Sequence, residues 1–387
     1  MNPIRFGIVG LGSMALNHAR TMLTKTPHAQ LCAVASGNAK NIAALRAMQG
    51  YEDIAVFDTP EAMYKSGAID AVLIVSPHRA HVRQACEAFA HGINVLLEKP
   101  VGVSTQEARR LNAAAKASGR AFGVMFNQRT NPVYQEMKRI VASGELGEIR
   151  RTNIVITDWF RAQSYYDSGA WRATWKHDGG GVLLNQAPHN LDLWQWICGM
   201  PASVRAFCGF GRWHDIEVED DVTAYVEYAN GATGTFITCT GETPGTNRFE
   251  ISMDGGQLVY ENGRLLLAKP EVPASRFIRE YQGGYGKPAV TVKDITPTAD
   301  NPLHAGVIEA FALHLLEGTP MIAEGEEGIN SLMLSNAMLL STWTDAKIDL
   351  PFGEAQDELF AKLLEERAAG SREKVTRKIE LNVGGSF

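Results

Sequence analysis

The sequence predicts an α/β domain followed by an α+β domain whose open sheet is mostly antiparallel. A glycine-rich turn follows a short apolar run at the N-terminus, and short β-rich runs then alternate with helical patterns to about residue 124. Longer runs that alternate apolar and polar residues follow from residue 149. Strands that alternate with helices are typical of a parallel sheet, whereas alternating apolar and polar runs are typical of an antiparallel sheet.

The composition indicates a globular chain that can bury two cores. The chain has 387 residues, of which 45% are hydrophobic and 21% are charged, as in ordinary folded domains. The net charge of −6, without a dense Lys/Arg block, argues against nucleic acid or a membrane surface as the main partner. No apolar stretch approaches the roughly 20 residues of a membrane span. The scattered cysteines match no metal or redox spacing, so we expect a cytoplasmic protein without a metal site.

The first predicted element is a strand followed by a tight turn and a helix. The strand covers residues 4–9, and the turn at residues 7–15 has the sequence GIVGLGSMA. In a dinucleotide-binding (Rossmann) fold, Gly12 would let the backbone approach a pyrophosphate, and Ala15 would let the helix pack on its strand. The phosphates would rest on free helix N–H groups. We expect them to lie along Gly10, Gly12, Ser13 and Met14.

The remaining elements follow from the same patterns. Parallel strands are predicted at residues 30–35, 71–75, 93–98 and 121–126, with a helix at 106–118 that Ser104 caps and Gly119 ends. A helix at 132–143 precedes antiparallel strands at 149–157, 204–210, 222–228, 233–240, 249–253, 257–261 and 264–267. An aromatic-rich loop and a helix at 188–198 interrupt this sheet after its first strand, and helices at 305–317, 326–344 and 354–368 precede a last β-like run.

These elements divide the chain into three parts. Residues 1–124 form the dinucleotide-binding domain, 125–353 the substrate-binding and oligomerisation domain, and 354–387 a C-terminal extension. The helices near 305–344 can pack back on the first domain.

Three segments in order resemble the Gfo/Idh/MocA oxidoreductases, the group of glucose-fructose oxidoreductase and inositol dehydrogenase. They are the glycine turn, the EKP at 98–100 and the GGGVLLNQAPHNLD at 179–192. The resemblance extends over residues 4–350, including SPHRAH at 76–81 and SGELGEI at 143–149, and leaves the tail uncovered. It implies an N-terminal Rossmann domain and a C-terminal sheet that binds substrate. It also implies NAD(P)-dependent chemistry on sugars, polyols and their derivatives, in a homo-dimer or homo-tetramer.

The resemblance assigns the catalytic roles to Lys99 and His189. Lys99 ends a predicted strand, so its ammonium would lie at the ligand crevice, where desolvation lowers its pKa; the alternative is a solvated surface lysine. Pro100 restricts Lys99 to extended geometry, and relatives often have a cis bond here. His189 follows Pro188 near a helix N-terminus, where the dipole favours a neutral imidazole that can act as base. Asp192 either orients that ring or lies on the helix surface.

Asn185 departs from the pattern of the relatives, many of which have aspartate four residues before the histidine. An amide cannot titrate. Asn185 can hydrogen-bond a substrate hydroxyl or cap the helix, which leaves His189 as the acid/base group.

The rest of the cofactor site follows from the resemblance. The nicotinamide half is expected near Ser76, Pro77, His78 and His81, with Glu98 and Lys99 beside it; His78 replaces the asparagine usual in relatives. The second strand ends in Ala35, Ser36, Gly37 and Asn38, without the acidic residue that binds a ribose 2′-OH. NADP is therefore permitted, and Lys40 and Arg46 are its possible contacts. The cofactor is NAD or NADP, with NAD favoured.

Aromatic and cationic residues concentrate in the loop at 158–177, a composition that suits sugars. The expected substrate-binding residues are Asn127, Arg129, Trp159, Arg161, Tyr165, Trp171, Arg172, Asn185 and His189. The alternative for the aromatics is an interface between subunits, and Trp194, Trp196 and Trp343 are expected in the core.

These residues favour a sugar or polyol dehydrogenase. One alternative is a glycosidase that oxidises a sugar hydroxyl transiently, eliminates the aglycone and restores the hydride, with Tyr165, Tyr166 or His177 as the additional base. A second alternative is a cofactor-sensing regulator without turnover. The presence of both Lys99 and His189, and the lack of a recognisable DNA-binding segment, argue against the regulator.

Overall fold

A computed structural model describes residues 2–374 of the chain. Its N-terminal part is a parallel six-stranded sheet with the strand order β3-β2-β1-β4-β5-β6. The strands are β1 (Ile4–Val9), β2 (Ala29–Ala35), β3 (Ala55–Phe57), β4 (Ala71–Ile74), β5 (Asn94–Leu97) and β6 (Phe122–Val124). The predicted parallel sheet is confirmed. Strand β3 was not predicted, because a run of only three residues carries no periodicity.

Helices connect these strands and cover the sheet. They are α1 (Ser13–Lys25), α2 (Ala39–Arg46), α3 (Pro60–Lys65), α4 (His78–Ala90) and α5 (Thr105–Ser118). The Ser104 side chain accepts a hydrogen bond from the Glu107 amide, and Gly119 ends α5 in the left-handed conformation, as predicted. The strand order reverses between β1 and β4, so the loops after these strands diverge and leave a crevice at the carboxyl edge of the sheet.

The second sheet has nine strands in the order β14-β13-β12-β11-β7-β10-β9-β8-β15. All neighbouring pairs are antiparallel except β7 and β10, so the expected mostly antiparallel sheet is confirmed. The strands are β7 (Ile149–Ile156), β8 (Ser203–Phe210), β9 (Glu219–Glu227), β10 (Thr233–Cys239), β11 (Asn247–Met253), β12 (Gly256–Glu261), β13 (Arg264–Pro270), β14 (Val290–Asp294) and β15 (Ile348–Asp349). The sequence did not predict the exposed edge strand β14 or the two-residue strand β15.

Helices pack on this sheet and reach back to the first one. They are α6 (Pro132–Ser143), α7 (Gln163–Asp167), α8 (Val182–Asn185), α9 (Pro188–Cys198), α10 (Ala274–Glu280), α11 (Leu303–Glu317), α12 (Gly328–Thr344) and α13 (Glu354–Ala369). Helix α13 is fixed to α5 by the ion pair between Asp357 and Arg109. The β-like run expected after α13 lies outside the described residues, and the three-part domain division stays a prediction.

Helix α11 packs against the first sheet. Phe311 lies with its ring centroid 6.1 Å from that of Phe6 in β1. A Cβ on Gly123 of β6 would lie 2.8 Å from the Phe311 ring, so the helix approaches this strand only because position 123 has no side chain. This contact joins the two parts of the chain through a buried aromatic ring. In the part of the chain that the structure describes, none of the helices combines the length and apolar character of a membrane span.

We expect Phe311→Ala to lower the free energy of unfolding by about 3–5 kcal/mol, because the ring is only 1% exposed and its removal leaves a cavity. Chemical denaturation followed by tryptophan fluorescence measures the loss. The control is Leu359→Ala on α13, where a side chain that is 40% exposed should cost less than about 0.5 kcal/mol. Equal losses in the two variants would contradict the proposed anchoring of α11.

Candidate functional site

The glycine turn forms a cradle at the start of α1. Gly10 has φ +84°, and a Cβ there would lie 3.0 Å from Ser76 Cα, so glycine is needed where the turn meets the end of β4. Gly12 precedes α1 without a side-chain cap, and a Cβ there would meet no atom within 4 Å. The first N–H groups of α1 therefore face open space, as a helix terminus that binds phosphate requires. The residues present fit a dinucleotide pyrophosphate.

The end of β2 is polar and uncharged. The hydroxyl of Ser36 accepts a hydrogen bond from the Asn38 amide at 3.1 Å, and Asn38 in turn caps α2 through the Asn41 amide. The Asn41 side chain donates to the Leu11 carbonyl at 2.6 Å, which ties α2 to the glycine turn. No carboxylate follows β2 in the segment 35–38, so this end would not repel a 2′-phosphate.

Lys99 connects the two parts of the chain. It follows β5, and its ammonium donates a hydrogen bond of 2.9 Å to the backbone carbonyl of Asn185 at the end of α8. Burial lowers the pKa of Lys99, while the charges of Glu98 and Asp178 act in the opposite direction. The Lys99–Pro100 peptide bond is cis. The ammonium therefore lies inside the molecule, at the carboxyl edge of the parallel sheet.

Glu98 lies behind Lys99 and faces the interior. His18 of α1 donates a hydrogen bond of 2.7 Å to Glu98 Oε1, and the Lys99 amide donates to Oε2 at 3.2 Å. Burial alone would raise the pKa of Glu98, but the His18 hydrogen bond and the charges of His18, His304 and Lys99 lower it to about 2. The structure thus places this carboxylate against His18. The sequence analysis missed His18 and His304, because no local motif marks two buried histidines whose rings lie 5.1 Å apart.

His189 is the second residue of α9, as the sequence predicts. Its ring centroid lies 6.2 Å from that of Phe126. Burial and then the charge of Lys99 lower its pKa to about 3, so the imidazole is neutral at physiological pH. Its Nδ1 atom is buried and accepts no hydrogen bond from the residues 2–374. When this neutral, desolvated imidazole takes up a proton close to a lysine ammonium, it becomes a second positive charge. That charge must be offset for the imidazole to act as a base.

The expectation for Asp192 requires correction. Both carboxylate oxygens of Asp192 accept hydrogen bonds from the Arg129 guanidinium at 2.7 and 2.8 Å, so this carboxylate does not orient His189. Arg129 is 2% exposed, also pairs with Glu327, and lies over the rings of Phe126 and Trp196. The Arg129 guanidinium is thus engaged by two carboxylates, and its predicted contact with the substrate stays a prediction. Asn127, also predicted at the substrate, is buried beside it.

Asn185 lies at the centre of a polar cluster. Its side-chain oxygen accepts hydrogen bonds of 3.3 Å from the Tyr165 hydroxyl and from Gln186, and its Nδ2 donates to Asp178 Oδ2 at 3.4 Å. Its backbone carbonyl accepts from Lys99. The residue therefore contacts Lys99 through its backbone and the aromatic loop through its side chain.

Asp178 is a site residue that the sequence analysis missed. It is buried, its Oδ2 accepts a hydrogen bond of 2.9 Å from the Ala173 amide, and its Oδ1 lies 2.9 Å from His78 Nδ1. His78, the first residue of α4, thus links the end of β4 to the segment before the glycine triplet. The position of Asp178 directly before Gly179–Gly181 was the available signal.

His81 and Ser76 fix the loop that carries His78. The two ring nitrogens of His81 lie 2.7 Å from the carbonyl oxygens of Pro100 and Ser76, and the Ser76 hydroxyl donates to Gln84 at 2.5 Å. Burial, followed by the charge of His78, lowers the pKa of His81 to about 4. His81 therefore joins the loop after β4 to the loop after β5. Pro77 is exposed and precedes α4.

Glu219 of β9 holds the glycine triplet and was also missed. Its Oε1 accepts hydrogen bonds from the amides of Gly181 at 2.8 Å and Leu183 at 3.0 Å. Complete burial raises its pKa to about 7 against these hydrogen bonds. The carboxyl group thereby fixes the start of α8, whose last residue presents its carbonyl to Lys99.

The aromatic loop lines a small cavity that is partly open to solvent. Its lining residues are Tyr165, Tyr166, Arg172, Ala173, Asp178, Gly181, Asn185 and Gln186. Arg172 donates a hydrogen bond of 2.9 Å to the Tyr165 hydroxyl. Trp171 lies edge-on to His78, and Trp159 donates to Asn190 at 3.3 Å.

The residues considered as an additional base have different surroundings. The Tyr166 hydroxyl is buried against Thr240 Oγ1 at 2.9 Å, and burial raises its pKa well above the usual range. His177 is exposed. Lys374 donates hydrogen bonds of 2.8 Å to the backbone carbonyls of Tyr166 and Arg172. These two bonds fix the backbone of the aromatic loop. The predicted core tryptophan Trp194 is stacked on Phe236.

Comparison with known proteins agrees with this geometry. Residues 4–126 match the family model described as an oxidoreductase family with an NAD-binding Rossmann fold, and residues 134–259 match the GFO/IDH/MocA C-terminal domain. The chain is 26% identical to D-glucoside 3-dehydrogenase of Escherichia coli strain K12 over 90% of this chain and 98% of that protein. The match to scyllo-inositol 2-dehydrogenase (NAD(+)) of Bacillus subtilis strain 168 is also 26% identical, but covers 60% of this chain and 66% of that protein.

A solved structure shows the same architecture. The WlbA dehydrogenase of Bordetella pertussis, in complex with NADH and UDP-GlcNAcA, superposes with a TM-score of 0.76 at 27% identity. The match covers 91% of this chain and all of that one. Together, the two family models span most of the fold described above, and the chain belongs to the Gfo/Idh/MocA family of oxidoreductases with an NAD-binding Rossmann fold.

Proposed function

We propose that this protein is an NAD(P)-dependent oxidoreductase that transfers a hydride between the nicotinamide and a secondary alcohol or ketone of a sugar, polyol or sugar derivative. The observation that carries the proposal is the hydrogen bond of the Lys99 ammonium to Asn185, with the neutral His189 close enough to feel the charge of Lys99. The dehydrogenase relatives support the carbohydrate class of substrate. Nothing in the geometry favours the glycosidase or the regulator.

The site residues divide the chemistry between a base and a hydrogen-bond donor. The bound nicotinamide supplies the hydride acceptor. During oxidation, the neutral imidazole of His189 takes the hydroxyl proton, and the Lys99 ammonium donates a hydrogen bond to the oxygen as negative charge develops on it. In the reverse direction His189 returns the proton. Asn185 and Tyr165 are placed to bind neighbouring hydroxyl groups, and the amide of Asn185 does not titrate.

The cofactor is NAD or NADP, with NAD proposed as the preferred one. The open N-terminus of α1 supports pyrophosphate binding by Gly10, Gly12, Ser13 and Met14. The NADH complex of the WlbA structure and the NAD(+) in the name of the inositol relative support NAD. Ser36, expected at the ribose end, is uncharged, and its hydroxyl accepts a hydrogen bond from the Asn38 amide.

Two further expectations are proposals. A homo-dimer or homo-tetramer is supported by exposed aromatic side chains on neighbouring strands of the second sheet, Phe207 at 62% and Tyr225 at 43% exposure. A cytoplasmic location is supported by the five cysteines, which are all free thiols.

We expect Lys99→Met and His189→Asn each to lower kcat about 10²- to 10⁴-fold, because one removes the donor to the developing alkoxide and the other removes the base. A panel of hexoses, glycosides, inositols and keto sugars, followed by nicotinamide absorbance with NAD and NADP, identifies the substrate and measures the loss. Cofactor dissociation constants from fluorescence quenching should change only a few-fold. The control is Lys65→Met, which removes an exposed lysine on α3. Full activity in Lys99→Met or His189→Asn would contradict the catalytic role proposed for that residue.

The pH dependence follows from the two lowered pKa values. His189, with a pKa of about 3, stays neutral above about pH 5 and so gives kcat/KM no acidic limb there. The pKa of Lys99 lies below its usual 10.5 because of burial, so kcat/KM for oxidation should fall with rising pH sooner than for an ordinary lysine. Rate profiles of the wild type and Lys99→Arg test this, since arginine stays protonated and should remove the alkaline limb. The prediction would be contradicted if kcat/KM of the wild type fell on acidification near the usual histidine pKa and this fall were absent in His189→Asn.

Ser36→Asp should select against NADP. A carboxylate at this position can accept hydrogen bonds from a ribose hydroxyl but repels a 2′-phosphate, so we expect NADP binding to weaken about 10-fold or more while NAD binding changes little. Fluorescence titration of both cofactors measures the ratio, and Ser36→Asn is the uncharged control. If the ratio is unchanged, Ser36 does not lie at the ribose.

A further inference from the structure

Two arginines of the aromatic loop lie over the same Tyr165 ring, and one of them, Arg172, lines the cavity. Arg161 and Arg172 are both half-buried, and neither forms an ion pair with a carboxylate among the residues 2–374. Their hydrogen bonds go to neutral oxygens, from Arg161 to the Phe160 carbonyl and from Arg172 to the Tyr165 hydroxyl. Partly desolvated guanidinium groups usually bind a carboxylate or a phosphate. Arg172 on the cavity wall and Arg161 over the same Tyr165 ring have no such partner among residues 2–374.

Aromatic rings hold both guanidinium groups in place. Arg172 lies between the rings of Tyr165 and Trp171, with centroid distances of 4.6 and 4.4 Å. Arg161 lies over the rings of Tyr165 and Trp159 at 5.2 and 5.6 Å. Both cations therefore lie on the Tyr165 ring. Stacking fixes the plane of a guanidinium but leaves its N–H donors free for a ligand.

The backbone around these arginines is also fixed. The Arg161 amide donates to the Thr240 carbonyl at 2.9 Å, and the Arg172 carbonyl accepts from Lys374. The two cations are thus held before any ligand arrives, and such preorganisation lowers the entropic cost of binding.

The pair lies within reach of the reacting centre. Arg172 lines the same cavity as Asn185, whose carbonyl accepts the hydrogen bond of the Lys99 ammonium. The charge of Arg161 acts on the ionisation of Lys99. The one carboxylate on the cavity wall, Asp178, is engaged by the Ala173 amide, Asn185 and His78. It does not neutralise either arginine.

We infer that the substrate is an acidic carbohydrate whose carboxylate binds between Arg161 and Arg172, while the carbon to be oxidised lies at Lys99 and His189. The inference rests on the proposed dehydrogenase function and adds the charge of the substrate to it. Tyr165, which touches both guanidinium groups and Asn185, sets the distance between the carboxylate and the reacting hydroxyl.

Paired substrates test the inference. The uronic acids of glucose, galactose and mannose are compared with their uncharged uronamides, which have the same skeleton. We expect kcat/KM to be higher for the acid of at least one pair. Arg172→Met and Arg161→Met should each lower the acid-to-amide ratio about 10- to 100-fold, the size of a lost hydrogen bond to a charged group. Lys176→Met, an exposed cation of the same loop, should leave the ratio unchanged.

Calorimetric binding of the same pairs to the NADH-loaded protein separates this inference from the proposed function. Arginine-dependent binding of an acid without any turnover would support the acidic site and contradict the dehydrogenase. Turnover of neutral sugars with an acid-to-amide ratio near one, or a ratio that both arginine variants leave unchanged, would overturn the acidic site while the dehydrogenase stands. Arg172→Lys separates charge from shape: a lysine keeps the charge but loses the stacked fork, so the ratio should recover only in part.

Discussion

The hydrogen bond between the Lys99 ammonium and the Asn185 carbonyl joins the two parts of the proposed active site. Lys99 follows a parallel strand of the first sheet, and Asn185 ends a short helix that the second sheet supports. Because the ammonium is desolvated, it is stable only where oxygen atoms and negative charge surround it. Glu98 and Asp178 supply the charge, and each is held by a histidine of the first domain. The position of the lysine thus depends on both domains at once.

Buried carboxylates have a shared role around this bond. Glu98 binds His18 of α1, and Asp178 lies against His78 of α4. Glu219 accepts hydrogen bonds from the amides of Gly181 and Leu183. Each connects segments that are distant in sequence. A buried carboxylate is costly unless all its partners are in place, so these contacts select one arrangement of the loops. The catalytic groups can then be held without a metal ligand set or a disulfide among the described residues.

Local patterns in the sequence predicted the elements that depend on neighbouring residues. The glycine turn, the cap at Ser104 and the helix start at Pro188 involve contacts within a few positions, and the alternation of strand and helix is set by burial. The roles of Asp192 and Arg129 could not be predicted in this way. Their ion pair joins residues 63 positions apart, and spacing along a helix does not show which side chain faces a guanidinium from another element. Asp178 directly precedes the glycine triplet, but its contact with His78 joins residues 100 positions apart and could not be predicted from local spacing.

The uncharged residue at position 185 has a consequence for the charge of the whole site. Arg172 lines the cavity, Arg161 lies over the same Tyr165 ring, and Lys99 donates to Asn185. The carboxylates near Lys99 are Glu98 and Asp178, so these three cations outnumber the two carboxylates. A carboxylate at 185 would offset this excess next to Lys99, but an amide does not. The charge of Lys99 raises the cost of protonating His189, and the same positive potential would lower the cost of an alkoxide at the proposed reacting carbon. An anionic substituent on the substrate would restore the balance on binding, and His189 could then accept its proton at a smaller electrostatic cost.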